Sequence, residues 1–187
     1  ALTVARNLRF PDIKQKGWMG VLQTTGARRV VVLASKRAHY SLLKAASLIG
    51  LGEENLVIIP VHRFTNKIDL EALADTAANL SAEGALILAV VGVAGSTETG
   101  SIDDLAGMAD IARVHNAWFH VDAAWGGAYL FSDTLKNHLV GIEQADSVVV
   151  DGHKLMGLTM GHGMVVFKAK ESLGALMHHA HYIIRTT

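Results

Sequence analysis

The chain contains no cysteine, so neither a disulfide scaffold nor a thiolate metal site is open to it. Only two prolines occur, with no repeat or low-complexity stretch, which argues against an internal linker. Neither sign of charge is in excess: 17 Lys and Arg balance 17 Asp and Glu. Without a long basic run, nucleic acid is not expected as the main partner. No apolar run is long enough to cross a bilayer, and the first residues lack a signal-peptide pattern. The expectation is a protein without a membrane partner in a cytoplasmic setting. What the chain has in quantity is apolar residues, half of its 187, enough to bury a sizeable core in one domain.

Short β-branched runs alternate with amphipathic stretches. Strands are expected over Arg29–Ala34, Asn55–Ile59, Ala85–Val91, Trp118–Val121, Ser147–Val150 and Gly163–Phe167. Between them, helices are expected over His39–Ile49, Asp69–Leu80 (with Asp69 as N-cap) and Asp103–His115, and a last helix over Glu171–Ala180. Strands separated by helices of this length indicate βαβ crossovers: an α/β fold with a mostly parallel sheet and helices on its faces. Ala1–Leu8 reads as the middle of a helix, and Ile183–Thr187 stops mid-pattern, so the chain is expected to be a segment of a longer protein.

Two strands end in chemistry. Val148-Val149-Val150-Asp151-Gly152-His153-Lys154 delivers a lysine directly behind a histidine, and Trp118-Phe119-His120-Val121-Asp122 delivers an aspartate. Alone, Lys154 would read as a surface lysine and Asp122 as a turn cap. In one parallel sheet, however, both would reach the C-terminal edge, where open α/β sheets bind ligands. A lysine and an aspartate converging there suit pyridoxal 5'-phosphate, which needs an amine for its aldehyde and a counter-ion for its ring nitrogen. A Schiff base needs a neutral amine, which a desolvated site would favour. Gly95-Ser96-Thr97-Glu98-Thr99-Gly100 reads as a plain loop or a phosphate cradle and fits neither common nucleotide-binding glycine pattern. In His178-His179-Ala180-His181 only the first and last histidines share a helix face, so no metal site is expected. Trp118 and Trp125 read as packing residues.

Taken with their neighbours, these residues resemble a known family. His120-Val121-Asp122-Ala123-Ala124-Trp125-Gly126-Gly127 and Ala145-Asp146-Ser147 through His153-Lys154 are similar to motifs of the group II pyridoxal-phosphate-dependent amino-acid decarboxylases. Gly92 through Asp103 resembles the family's threonine loop, Ala38-His39-Tyr40-Ser41 its ring-stacking histidine segment, and Ala1–Asn7 the helix after its glycine-rich phosphate loop. Within the family, Thr97-Glu98-Thr99-Gly100 and His178 through Arg185 look most like bacterial aspartate/glutamate decarboxylases. Leu155–Thr159, Ser96 and His162 depart from its usual residues.

The resemblance implies an aspartate-aminotransferase-like (type I) large domain, with residues 1–187 as its central part. The phosphate loop would precede Ala1. A mobile proton-donor loop and a small C-terminal domain would follow Thr187. Implied roles are Lys154 as the cofactor's amine, Asp122 as counter-ion to the ring nitrogen, and His39 and Ala124 on the two ring faces. Thr97 would lie near the cofactor or the substrate carboxylate, and Asp151 and His153 would help position the phosphate or carboxylate. The catalytic set is then Lys154, His39 and Thr97. The implied activity is decarboxylation of an acidic amino acid, glutamate or aspartate, by a homodimer. Diaminobutyrate decarboxylation and another type I lyase activity remain open, as does a non-catalytic relative that kept the fold.

Overall fold

In the computed structural model, residues 1–177 are described. Two helices, α1 (Leu2–Arg9) and α2 (Ile13–Thr25), precede β1 (Arg29–Ser35) and α3 (Ser41–Leu48). Then follow β2 (Leu56–Ile59), α4 (Leu70–Ala82), β3 (Ala85–Val93), α5 (Leu105–Val114), β4 (Trp118–Asp122), β5 (Ser147–Asp151) and β6 (Gly163–Phe167). One sheet holds all six strands in the order β2-β1-β3-β4-β5-β6, parallel except for β6, which runs antiparallel to β5.

The apolar runs of β1 and β3 form central strands because both their faces are covered, as parallel sheets require. In β1, Val31 and Leu33 face one core cluster with Leu73, Ala77 and Leu80 of α4 and Leu105, Met108 and Ala112 of α5. Val30, Val32 and Ala34 face the other cluster, with Leu2 and Ala5 of α1, Val21 of α2 and Leu42 and Ala46 of α3. Fully buried leucines such as Leu33 and Leu73 each contribute roughly 1.5–3 kcal/mol. A polar stitch joins β4 to β5: Trp118 Nε1–H donates to Ser147 Oγ at 2.7 Å. His120 Nδ1 lies 3.0 Å from the Ser147 carbonyl. Burial pushes the His120 pKa down to about 4, so the neutral ring donates its Nδ1 proton to that carbonyl. Among the described residues no helix is long and apolar enough to cross a membrane.

All six expected strands form. Asp69 caps α4, accepting the Ala72 N–H at 3.1 Å. Helix α5 begins later than expected, with Asp104 as N-cap, because the Asp103 carboxylate is drawn elsewhere. The helix expected over Glu171–Ala180 is replaced by a 3-10 segment at Lys170–Leu176, interrupted in composition by Gly174; positions 178–180 lie outside the described residues. Helix α2 has no counterpart in the sequence reading. Its apolar positions keep no clean period, and Gly17, at φ 61, breaks it internally.

Candidate active site

The chain leaves β1, goes outward to β2, then returns past β1 to β3, so successive connections diverge at the C-terminal ends of β1 and β3. Such a switch point opens a crevice. Here it is a cleft of about 540 Å³, walled by residues that follow four parallel strands. After β1 come Arg37 and His39, after β3 Gly95, Ser96 and Thr97, at β4 Asp122 and Ala124, and at β5 Asp151 and Lys154. Six of the seven residues singled out from the sequence therefore line one cleft; His153 stands behind it.

Strand register brings the C-terminal ends of β4 and β5 together. Asp122, the last residue of β4, pairs with Val149 of β5 and with Val93 of β3. Its Oδ1 accepts the Ala124 N–H at 3.1 Å, closing a turn that puts the small Ala124 on the wall. Oδ2 has no hydrogen bond among the described residues. Beyond β5, Lys154 Nζ is paired with Asp151 Oδ2 at 3.0 Å, and the lysine side chain keeps 35% of its exposure. The amine is thus held by a carboxylate. His153 Nδ1 donates to the His162 carbonyl at 2.9 Å, which leaves Nε2 3.8 Å from the same Asp151 oxygen. His153 therefore reaches the site through Asp151.

His39 precedes α3. Its Nδ1 accepts the Ser41 N–H at 3.3 Å and lies 2.9 Å from Ser41 Oγ, with its ring centroid 4.2 Å from that of Tyr40. Thr97 sits in a loop closed on itself: the Gly95 and Ser96 N–H groups both donate to the Ser101 carbonyl at 3.0 Å. Those two donors are therefore not a phosphate cradle. Gly95 (φ 91) presses against the second loop, where the Gly126 N–H donates to the Ala94 carbonyl at 3.0 Å. Asp103 anchors the far side, accepting N–H bonds from Ile68 (2.7 Å) and Val93 (3.0 Å), while burial still pushes its carboxyl pKa up.

Sequence reasoning passed over Arg37 and Asp103. Arg37 carried a usable signal, two residues past a buried strand at the same edge as His39. Asp103 did not, because a helix cap and a loop anchor look alike in sequence. Trp125, read as packing, meets Tyr129 edge-on at 5.9 Å and also lines the cleft.

The donor set fits a pyridine aldehyde: the cleft is lined by an amine, Lys154, and by a carboxylate, Asp122, with one oxygen unengaged. An open α/β sheet with these groups at its C-terminal edge defines a pyridoxal-phosphate-type large domain. The family model described as "Pyridoxal-dependent decarboxylase conserved domain" matches residues 1–186, and the chain belongs to that family. Aspartate 1-decarboxylase of Aliivibrio fischeri is 42% identical over 191 residues, covering 99% of this chain and 35% of that protein. L-2,4-diaminobutyrate decarboxylase of Acinetobacter baumannii is 35% identical over 156 residues, 83% of this chain and 30% of that one. The apo crystal structure of mouse CSAD superposes with a TM-score of 0.88 at 30% identity, covering all of this chain and 38% of that one. The chain thus spans about a third of the length of the relatives it matches.

Proposed function

We propose that this chain is the cofactor-binding core of a pyridoxal-phosphate-dependent decarboxylase acting on an acidic amino acid, aspartate or glutamate. The observation that carries the reading is that Lys154 and Asp122, at the ends of adjacent strands, line the same cleft. The acidic substrate is supported by the 42% identity to an aspartate 1-decarboxylase. Diaminobutyrate is the second reading, supported by the 35% relative. The homodimer comes from the family resemblance, and a cytoplasmic setting is part of the same proposal.

When bound, the cofactor supplies an electron-accepting ring for the charge left on Cα as CO2 departs. Each side chain has a part in preparing that step. Lys154 would offer its amine to the cofactor's aldehyde, and Asp151 holds Nζ on the wall. Asp122 would keep a proton on the ring nitrogen through Oδ2, since Oδ1 is committed to its own turn. A unit-charge pair at 4 Å is worth roughly 4 kcal/mol at an effective dielectric of 20. His39 and Ala124 would take the two ring faces, the alanine because a larger side chain would crowd the ring. Thr97 would meet the cofactor's substituents or the substrate carboxylate. Together they would hold the Cα–carboxylate bond perpendicular to the ring, the orientation that selects decarboxylation.

The test is an absorbance scan of the full-length protein with added pyridoxal phosphate, then borohydride reduction and peptide mapping. A visible band trapped on Lys154 is expected, with CO2 released faster from aspartate or glutamate than from diaminobutyrate. Faster release from diaminobutyrate would move the substrate to the second reading. No band at all would leave a relative that kept the fold and lost its chemistry.

A further inference from the structure

Arg37 reaches the cleft from the end of β1 with 29% of its side chain exposed. Two sides of its guanidinium are held differently. Nε and Nη2 both donate to Asn66 Oδ1, at 3.1 and 2.6 Å. Asn66 is itself fixed in a left-handed turn (φ 55), its N–H donating to the His62 carbonyl at 2.9 Å. On the other side, Nη1 pairs with the Glu98 carboxylate. The Glu98 side chain is 71% exposed, and a surface pair of this kind is weak and readily exchanged. Of the five guanidinium N–H groups, three are engaged among the described residues.

We propose that Arg37 is the receptor for the side-chain carboxylate of an acidic substrate, with Glu98 holding that seat until the substrate arrives. The proposal rests on the decarboxylase reading and specifies how its substrate class is chosen. Exchange replaces one carboxylate by another, so the guanidinium stays balanced throughout, while Asn66 keeps it from swinging away. Among the described residues lining the cleft, the other Lys or Arg is Lys154, which Asp151 already holds. The rival anion is the cofactor's phosphate. It suits the seat less well, because the Gly95 and Ser96 N–H groups that could join Arg37 in a phosphate cradle are spent on Ser101. A dianion beside Glu98 would also be repelled.

The experiment measures the affinity of succinate, a dicarboxylate with no amine to react, by calorimetry. It uses full-length holoenzyme of the wild type, Arg37→Gln and Glu98→Gln, with the dissociation constant of pyridoxal phosphate measured alongside. Wild type should bind succinate, and Arg37→Gln should weaken it roughly 10- to 100-fold, as expected for a lost charge-assisted hydrogen bond. Glu98→Gln should tighten it, because the competing carboxylate is gone. Cofactor affinity should stay the same in both variants. No succinate binding by the wild type, or equal affinity in the wild type and Arg37→Gln, overturns the proposal. So does a loss confined to pyridoxal phosphate affinity, which would assign Arg37 to the phosphate. Borohydride trapping on Lys154 is read separately. Its absence ends the decarboxylase reading and this one with it, whereas trapping with unchanged succinate affinity ends only the role of Arg37.

Discussion

Lys154 Nζ and His153 Nε2 lie 3.0 and 3.8 Å from one and the same oxygen, Oδ2 of Asp151. A single carboxylate at the end of β5 thus gathers the two side chains that follow it, and the lysine is presented from an ordered turn. The Lys154 N–H also donates to the Asp151 carbonyl at 3.1 Å, so backbone and side chain agree on the position.

Lys154→Ala should abolish the reducible link to pyridoxal phosphate while the protein stays folded, since the lysine side chain is partly exposed. Mass mapping after borohydride reduction reads the outcome. A label found on another lysine would show that the wrong amine had been chosen.

Asp122→Asn should keep the covalent link and lose activity by about 100-fold or more, the scale seen when one preorganised electrostatic partner is removed. The amide can still close the Ala124 turn through its carbonyl oxygen. Near-normal turnover with a normal absorbance band would falsify the assigned role.

Gly126→Ala tests the contact between the two loops. An added Cβ would stand 2.5 Å from the Ala94 carbonyl oxygen, a backbone atom with little room to yield. The expected loss is about 1–3 kcal/mol of stability, seen as a lower denaturation midpoint together with weaker cofactor binding. Unchanged values of both would mean that the loops move apart freely.

His120 predicts a pH dependence of stability. Its ordinary pKa of 6.5 falls to about 4 when folded, because burial disfavours the charged ring. The unfolded chain therefore takes up this proton first as the pH drops. The contribution is complete above pH 6.5 and fades as the pH falls towards 4. Its full extent is on the order of 3 kcal/mol. His120→Gln should flatten that part of the pH profile in urea titrations; an unchanged slope would remove His120 as its source.

The fold was legible where the sequence is repetitive and apolar. Val30 to Ala34 and Ile87 to Val91 are buried on both faces, and a run of that kind admits few alternatives to a central parallel strand. Lys154 and Asp122 were legible for a related reason, because each ends such a run and so must reach the sheet's edge. Legibility failed where position depends on partners distant in sequence. Arg37 gains its place from Asn66 and Glu98, 29 and 61 residues away, and neither spacing leaves a local pattern. Asp103 was given to the helix it precedes, because nothing nearby shows that Ile68 and Val93 compete for its carboxylate. Asp151 lies only three residues before Lys154 and was in plain view as its partner.

Strand β6 turns back against β5, and the last rung of that ladder joins Asp151 to Gly163. Lys154 therefore rides near the root of a hairpin tip, on the β5 side, while residues 155–161 form its outer part. The near end of that outer part is tied to the lysine's turn, since the Gly157 N–H donates to the Lys154 carbonyl and the Leu158 N–H to the Gly152 carbonyl, both at 3.0 Å. A slip of one residue within β5 would exchange the faces of the strand and carry Lys154 away from Asp122. The lysine is thus held from both sides of the hairpin, by Asp151 on β5 and by the residues of the turn that follows it.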